Sequence, residues 1–335
     1  MYLPEYTITP KILKNIADIE YSRAIIDNTT ILSLWQSRLL SEALTQKVYS
    51  LLELEGYNLN KDETKKVVDT YAGIKPTIQT QPLINVIDSL KKLDVIARNN
   101  YFEDQDLKSL NKELTKQVLP PNKQGTFRSK ETAKGTDVES ILARVNELID
   151  WIHSMDARNT HPVIISGIVK IELEQINAFE NFNKTTAGLI SYLVLKTLNY
   201  SFEDYLCLET YFLNSKVEYM HLLHANRPNE DNDLTDWLTY FSEGFAMETS
   251  KLKEKMQLVA RDAKLAKATG TVNLTPRQEK IVEYIQDYGL LKNSDFPLLF
   301  PDISEDTVLR DLKKLVELDI LVKLGRTKSS RYELK

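Results

Sequence analysis

Apolar residues recur along most of this chain at steps of three and four, the spacing that gathers them on one face of a helix. Leu32, Leu34, Trp35, Leu39 and Leu40, followed by Leu44, Val48, Leu51 and Leu52, predict helices from Ala24 to about Val68. The stretch from Leu83 to Ile96 continues the pattern. It breaks between Leu119 and Val138, where Pro120, Pro121, Gly125 and Gly135 punctuate a polar segment that reads as an extended hairpin or loop. Helical periodicity returns at Val138 and persists to about Ala266, with Leu189 to Leu198 apolar almost all round, as in a buried helix. Strand signals are few, so the chain reads as mainly α.

The last part of the chain has a different order. Lys264-Leu-Ala-Lys-Ala-Thr-Gly-Thr-Val272 is rich in small, turn-prone residues and reads as a linker. Thr275 and Pro276 then occupy the cap and first-turn positions of a helix whose apolar face is Ile281, Val282 and Ile285. A further helix starts after Ser304, and Ile320 to Leu324 with Arg331 to Leu334 bracket Gly325 to Ser330 as a hairpin. Helix, helix, helix, hairpin is the order of a winged helix, with Leu309, Leu312, Leu315, Leu321 and Val322 completing its expected core. The boundaries that follow are an N-terminal helical region at 1–95, a helical core at 96–263, a linker at 264–272 and a winged-helix domain at 273–335. A length of 335 residues suits such a division, since domains commonly run to about 100 to 200 residues.

Composition narrows the classes. An apolar content of 42% suffices for packed cores, and no apolar run approaches the roughly 20 residues of a membrane span. The start, Met1-Tyr-Leu-Pro-Glu-Tyr6, lacks the basic and apolar regions of a signal peptide. The lone Cys207 excludes an internal disulfide and a Cys-based metal site. A cytoplasmic protein without membrane contact is the expectation. The formal net charge of −5 does not draw the whole molecule to nucleic acid, so such contact needs a local patch.

Candidate chemistry concentrates in Asn177-Ala-Phe-Glu-Asn-Phe-Asn-Lys-Thr-Thr-Ala-Gly-Leu189. A polar loop before a buried helix brings free backbone N–H groups and the positive end of a helix dipole to one point, which suits an anion such as phosphate. His161-Pro162-Val163, the following helix, and then Ile176-Asn177-Ala178-Phe179 with Asn183 resemble the core of Fic (Fido) proteins, whose usual signature is His-x-Phe-x-Asp/Glu-Gly-Asn-Gly-Arg-x-x-Arg. Without a gap, Asn177 falls at the His, Asn181 at the acid, Phe182 and Lys184 at the two Gly, and Thr185 and Gly188 at the two Arg; only Phe179 and Asn183 match. Gly125-Thr-Phe-Arg128 and Val138 to Trp151 resemble the Fic flap and the helix after it. Tyr211 to Tyr219 and Asn232 to Trp237 resemble the segment that closes the nucleotide pocket. Tyr49-Ser-Leu-Leu-Glu-Leu-Glu-Gly56 resembles an inhibitory helix with a Ser-x-x-x-Glu-Gly pattern, here with Leu51 at the Ser position and Glu55 retained.

The resemblance implies a mainly α Fic-type core with a small flap hairpin, and transfer of AMP from ATP to a hydroxyl of a target protein, with ATP and magnesium as cofactors. The residues argue against intact chemistry. An amide at Asn177 cannot serve as the general base that an imidazole supplies, and Asn181 offers a divalent cation only a neutral carbonyl. Phe182 brings bulk where glycine lets backbone approach phosphate, and Thr185 and Gly188 supply no guanidinium. Lys184 restores a point charge only. Glu180 is expected to leave the loop in another direction, and Glu55 to lack a partner, because Gly188 stands at the arginine position. Asn177 reads as a loop cap, Phe179 as a core anchor and Asn183 as a cap for the next helix. Asn183, Lys184, Tyr211 and Tyr219 are the candidates for a nucleotide pocket, although aromatic residues at helical spacing also suit a core. His161, and His221 with His224, favour structural roles over metal binding.

On the winged helix, Arg310, Lys313 and Lys314 stand among Glu305, Asp306, Asp311 and Glu317, while Lys323, Arg326, Lys328, Arg331 and Lys335 face only Glu333. The candidate DNA contacts are therefore Arg310, Lys313, Lys314, Arg326 and Lys328. Three readings remain open: a catalytically impaired Fic protein that binds or regulates, with contact to duplex DNA; a divergent nucleotidyl or phosphoryl transferase using Lys184 and Glu180; and an interaction protein whose flap, from about Gly125 to Gly135, adds a strand from a protein target. A homodimer is compatible with all three.

Overall fold

The computed structural model describes residues 2–29, 31, 33–98, 101–132, 135–200, 202, 204–225, 233–268, 274–318, 320–325 and 330–334. The chain divides into two compact units, Met1–Asn28 with Ser41–Lys253, and Thr29–Leu40 with Glu254–Lys335. The first carries α1 (Pro10–Asn28), α2 (Ser33–Glu55), α3 (Lys61–Thr70), α4 (Gln81–Ala97), α5 (Asp104–Thr115), α6 (Ile141–Ile152), α7 (Met155–Arg158), α8 (Pro162–Ile176), α9 (Asn183–Thr197), α10 (Glu209–Asn214), α11 (Lys216–Ala225) and α12 (Thr235–Ala268), the division falling within α2 and α12.

The centre of the first unit is the pair α8 and α9. Every residue from Val163 to Ile176 is buried, as is every residue from Thr185 to Leu195, so neither helix keeps a solvent-facing polar stripe and their polar side chains lie inside. Small side chains let them approach, and the Ser166 and Ser191 hydroxyls meet at 2.6 Å. His161 starts α8, its Nδ1 accepting from the N–H of Val163, and Pro162 fills the first-turn position. Trp237 of α12 donates its indole N–H to the carbonyl of Gly167 on α8 at 2.8 Å. Around it Phe212, Tyr219, Tyr240 and Phe241 form one aromatic cluster.

Three local expectations are corrected. Helix begins at Pro10, well before Ala24, because the buried face of α1 is Ile12, Asn15, Ile19, Ser22 and Ile26. Two polar members break the apolar period, and Asn15 is satisfied inside by Ser242 at 3.0 Å. The flap is not a hairpin among the described residues: its isolated bridge pairs Phe127 with Phe179 of the distant loop. Helix α12 continues to Ala268, into the stretch assigned as linker, and residues 269–272 lie outside the described set.

In the second unit, α13 (Pro276–Tyr288) is followed by β1 (Leu291–Lys292), α14 (Phe296–Leu299), α15 (Glu305–Glu317), β2 (Leu321–Leu324) and β3 (Arg331–Leu334). Thr275 caps α13 through the N–H of Gln278, and Gly289 ends it in a left-handed conformation at φ +79°. The sheet is antiparallel in the order β1-β3-β2, with Leu321 opposite Leu334 and Leu291 opposite Tyr332. Its core joins Ile281, Val282, Ile285, Leu312, Leu315 and Leu321 to Val308, Phe296 and Tyr332. Leu309 is only partly buried, and Val322 stands half-exposed, because alternation on β2 turns Leu321 inward. The short β1 carried too few residues to show a period.

Candidate functional site

The loop between α8 and α9 is closed on itself. Asn177 ends α8 in a left-handed conformation at φ 49°, which asparagine tolerates better than most residues. Asn183 then spans the turn: its Oδ1 accepts from the N–H of Phe179 and its Nδ2 donates to the same residue's carbonyl, both at 2.8 Å. It is therefore a brace for the loop and not the cap of α9. The cap position falls to Phe182, which makes no side-chain cap bond. Phe182 has φ 60°, is fully buried, and lies 5.7 Å from the Tyr57 ring. A left-handed backbone at a bulky residue is strained by about 1–2 kcal/mol, which burial of the ring offsets.

Two neighbours hold this loop from outside. Arg128 is buried and donates to three carbonyls: Asn177 at 2.8 Å, Lys130 at 2.9 Å, and Thr136. Its backbone N–H donates to Ala178, and that of Thr136 to Ile176. Gly135, at φ +108°, lies so close that a Cβ there would stand 2.8 Å from the Cβ of Asn177. The flap therefore covers the end of α8. From the other side Asn111 of α5, also buried, donates to the carbonyl of Asn181 at 3.0 Å and to the hydroxyl of Thr186 at 3.2 Å. Phe179 is buried against Phe127, ring centres 5.3 Å apart.

No family model matches the sequence. Curated relatives and solved structures do. A protein adenylyltransferase Fic of Nematostella vectensis is 22% identical over 171 residues, covering 49% of this chain and 40% of that protein. Its counterpart from Aedes aegypti is 20% identical over 197 residues, covering 56% of this chain and 39% of that protein. The chain thus spans about two fifths of the length of these curated relatives. A Fic family protein from Desulfovibrio desulfuricans superimposes over 100% of this chain and 98% of its own, with a TM-score of 0.62 at 19% identity. A Fic-domain signaling protein from Bacteroides thetaiotaomicron covers 76% of this chain and 98% of its own, with a TM-score of 0.56 at 17% identity. The chain is thus similar in sequence to Fic adenylyltransferases and shares the fold of Fic proteins.

The start of α9, where the Fic signature carries its arginines, is occupied by side chains of this chain. Glu55 of α2 accepts from the N–H of Thr185 at 2.9 Å and from its hydroxyl at 3.0 Å. This corrects the expectation that Glu55 lacks a partner: its carboxylate is met by Thr185 and not by the residue at position 188. Part of Glu55 stays at the surface, yet its carboxylate lies at fully buried Thr185. Burial pushes the Glu55 pKa up, the Thr185 bonds and Lys184 pull it down, and Glu174 adds repulsion. At Gly188 a Cβ would stand 2.9 Å from Leu51 and 3.0 Å from a Glu209 oxygen, so no longer side chain fits without movement.

Lys184 and Glu180, the two charged groups on which the transferase reading depends, are engaged elsewhere. Lys184 donates to the carbonyl of Leu54 at 3.0 Å. Glu180 pairs with Lys123 at 2.8 Å, and the Asn181 side-chain oxygen accepts from the N–H of Phe182 at 2.9 Å. Of the aromatic candidates, Tyr219 is fully buried, donating to Glu174 at 2.6 Å, and Tyr211 packs on Tyr240 with ring centres 5.1 Å apart. His221 borders an open groove of about 580 Å³ with Leu213 and Val217. Among the described residues no group of three His, Cys, Asp or Glu is placed to hold a metal.

Sequence reasoning missed the polar layer beneath the loop. Lys170 and Glu174 of α8 pair at 2.8 Å, both side chains about 1% exposed, and Tyr192 donates to Glu209 at 2.5 Å. The Lys170 ammonium reaches Glu174 without a well-angled hydrogen bond and also faces the Phe212 ring at 5.2 Å. A lysine and a glutamate four apart, in a stretch that also holds Glu172 and Gln175 after an apolar first half of the helix, were the available signal.

On the second unit, Arg310, Lys313 and Lys314 are exposed on α15 alongside Glu305, Asp306 and Glu317. Asp311 instead turns inward to Arg277 and to Gln278, the latter at 3.0 Å, and so leaves the outer surface. Lys323 is exposed, and Arg331 pairs with Glu333 at 2.9 Å. Arg326 and Lys328 lie outside the described residues, as do Asn232 and Lys335.

Proposed function

We propose that this chain with the Fic fold acts by binding rather than by AMP transfer, its nucleotide site being filled by its own side chains. The observation that carries this reading is the carboxylate of Glu55 on the N–H and hydroxyl of Thr185, the donors that a phosphate at the start of α9 would need. Beside it Phe182 fills the position of a signature glycine, and Asn177 cannot take up and return a proton. The residues present do not fit ATP with magnesium. The Asn181 carbonyl oxygen and the Glu180 carboxylate both have other partners, and neither signature arginine is present. The same contacts weigh against a divergent transferase built on Lys184 and Glu180. The flap, too, offers less backbone to a partner strand, since the N–H groups of Arg128 and Thr136 are already bonded.

For the second unit the winged-helix reading is supported by three helices, the strand order β1-β3-β2 and the exposed Arg310, Lys313 and Lys314. We place duplex DNA as its ligand and the cytoplasm as its location. No helix among the described residues is long and apolar enough to cross a membrane. The deciding experiment is calorimetric titration with ATP and magnesium, in parallel with labelled ATP and cell lysate. No affinity tighter than about millimolar and no labelled band are expected. Either signal, abolished by Asn183→Ala, overturns the binding reading.

A further inference from the structure

The end of α2 and the start of α9 exchange charged side chains. Glu55, the last residue of α2, reaches Thr185 in the first turn of α9, while Lys184 of that same turn donates back to the carbonyl of Leu54 in the last turn of α2. The first N–H groups of a helix and its last carbonyls have no partner within the helix, and they carry the positive and negative ends of its dipole. Each helix end therefore receives from the other the charge that suits it. The hydroxyl of Thr185 also lies 3.4 Å from the carbonyl of Leu51, adding a second carbonyl of α2 to the same joint. Apolar contact closes it: Leu51 abuts Gly188, and the Tyr57 ring lies against Phe182. The chain after α2 is turned back on the helix, with the N–H groups of Gly56 and Tyr57 donating to the carbonyl of Leu52 at 3.1 and 2.9 Å.

We infer that Glu55 and Lys184 form a reciprocal clasp which makes the end of α2 a fixed part of the core, not a segment that lifts away to uncover the start of α9. Loss of either side chain leaves a buried backbone group unpaired. The two charges also act on each other across the joint, since Lys184 lowers the proton affinity of Glu55. The clasp rests on the same Glu55–Thr185 contact as the filled site proposed above, but whether the joint opens and whether ATP binds are read separately.

Hydrogen exchange on the full-length protein reads the clasp directly. The amides of Thr185 and Tyr57 should exchange as slowly as that of Ile168 in the middle of α8, opening only with the whole unit. Exchange at Thr185 faster than at Ile168 by about a hundred-fold or more means that the joint opens on its own, and overturns the inference. In thermal melts, Glu55→Ala and Lys184→Ala should each lower Tm, and the double variant by less than the sum of the two. Unchanged Tm values or strict additivity also overturn it, and where a variant does not fold, exchange on the parent protein still decides. ATP titration of the same sample separates the two readings. Tight ATP binding with slow Thr185 exchange defeats the filled-site reading and leaves the clasp, and fast exchange without ATP binding does the reverse.

Discussion

The two regions that the sequence marks for ligands, the 177–188 loop and the outer face of α15, satisfy their polar groups in opposite ways. At the loop, Asn183, Arg128, Asn111, Glu55 and Lys184 all end on partners within the chain. On α15, Arg310, Lys313 and Lys314 are exposed; Arg310 donates to the Asp306 carbonyl of its own helix at 3.4 Å, and Lys313 pairs with Glu317 at 3.8 Å. Such an exposed pair contributes little to stability. Polar residues that close on each other hold a fold together, and those left facing solvent are the ones free to meet a partner. The stretch that resembles the Fic signature thus has its polar side chains bonded within the chain, whereas the basic side chains of α15 face solvent.

The largest effect expected from breaking this contrast is at Phe179. Phe179→Ala removes a buried ring that anchors the loop to Phe127 and should destabilise by about 3–5 kcal/mol in urea unfolding. A loss under about 1 kcal/mol would show the loop to be independent of the core. Next comes Arg128→Ala, which deprives the carbonyls of Asn177, Lys130 and Thr136 of their donor; about 2–4 kcal/mol is expected by the same measurement. Near-zero change would mean that water replaces the guanidinium and that the flap is not held by it.

On the opposite side of the comparison, Lys313→Ala and Arg310→Ala in the intact protein should cost under about 1 kcal/mol in folding, as exposed residues do. They should weaken duplex DNA retention, with the salt dependence of binding flattened by about one unit for each phosphate that is no longer neutralised. Arg326→Ala with Lys328→Ala should act likewise on all sequences. No retention by the parent protein at low salt, where attraction is strongest, removes the DNA reading and leaves the unit as a protein-contact module.

The smallest effect is a pH dependence. Burial holds the folded Glu55 pKa above its ordinary value of 4.5, so the associated stability is fully present below that value and is lost as pH rises through the folded pKa. The Tm of Glu55→Gln relative to the parent should therefore be higher at about pH 7 than at about pH 5. A difference that is flat, or that grows on acidification, would show the carboxylate to be favoured by its bonds to Thr185 more than it is penalised by burial.

How far the site was legible can be read from single residues. Asn177 as a loop cap and Phe182 as a filler followed from residue chemistry, because backbone preference and side-chain volume are properties of the residue itself. Asn183 misled, because an asparagine beside a helix start bonds either the helix or the loop before it, and only the turn geometry chooses. The partner of Glu55 was hidden in the signature, which points to Gly188 alone; Thr185, three residues earlier on α9, faces the same helix end. Asn15 and Ser22 hid α1 for a related reason, since a buried polar residue looks like a surface one until its partner is placed.

By itself the sequence determined the helical periods, the cap positions at Thr275 and Ser304, the buried pair α8 and α9, and the presence of Asn177, Asn181, Thr185 and Gly188 where a Fic signature would carry a base, an acid and two guanidinium groups. These are local quantities, set by spacing and by side-chain chemistry within a few turns. The tertiary structure decided which partners meet: Glu55 from 130 residues away on the donors of Thr185, Arg128 on the end of α8, and Asp311 turned from the surface of α15 to Arg277. A polar group leaves water only where a partner meets it, and which partner arrives is fixed by the packing of elements distant in the chain.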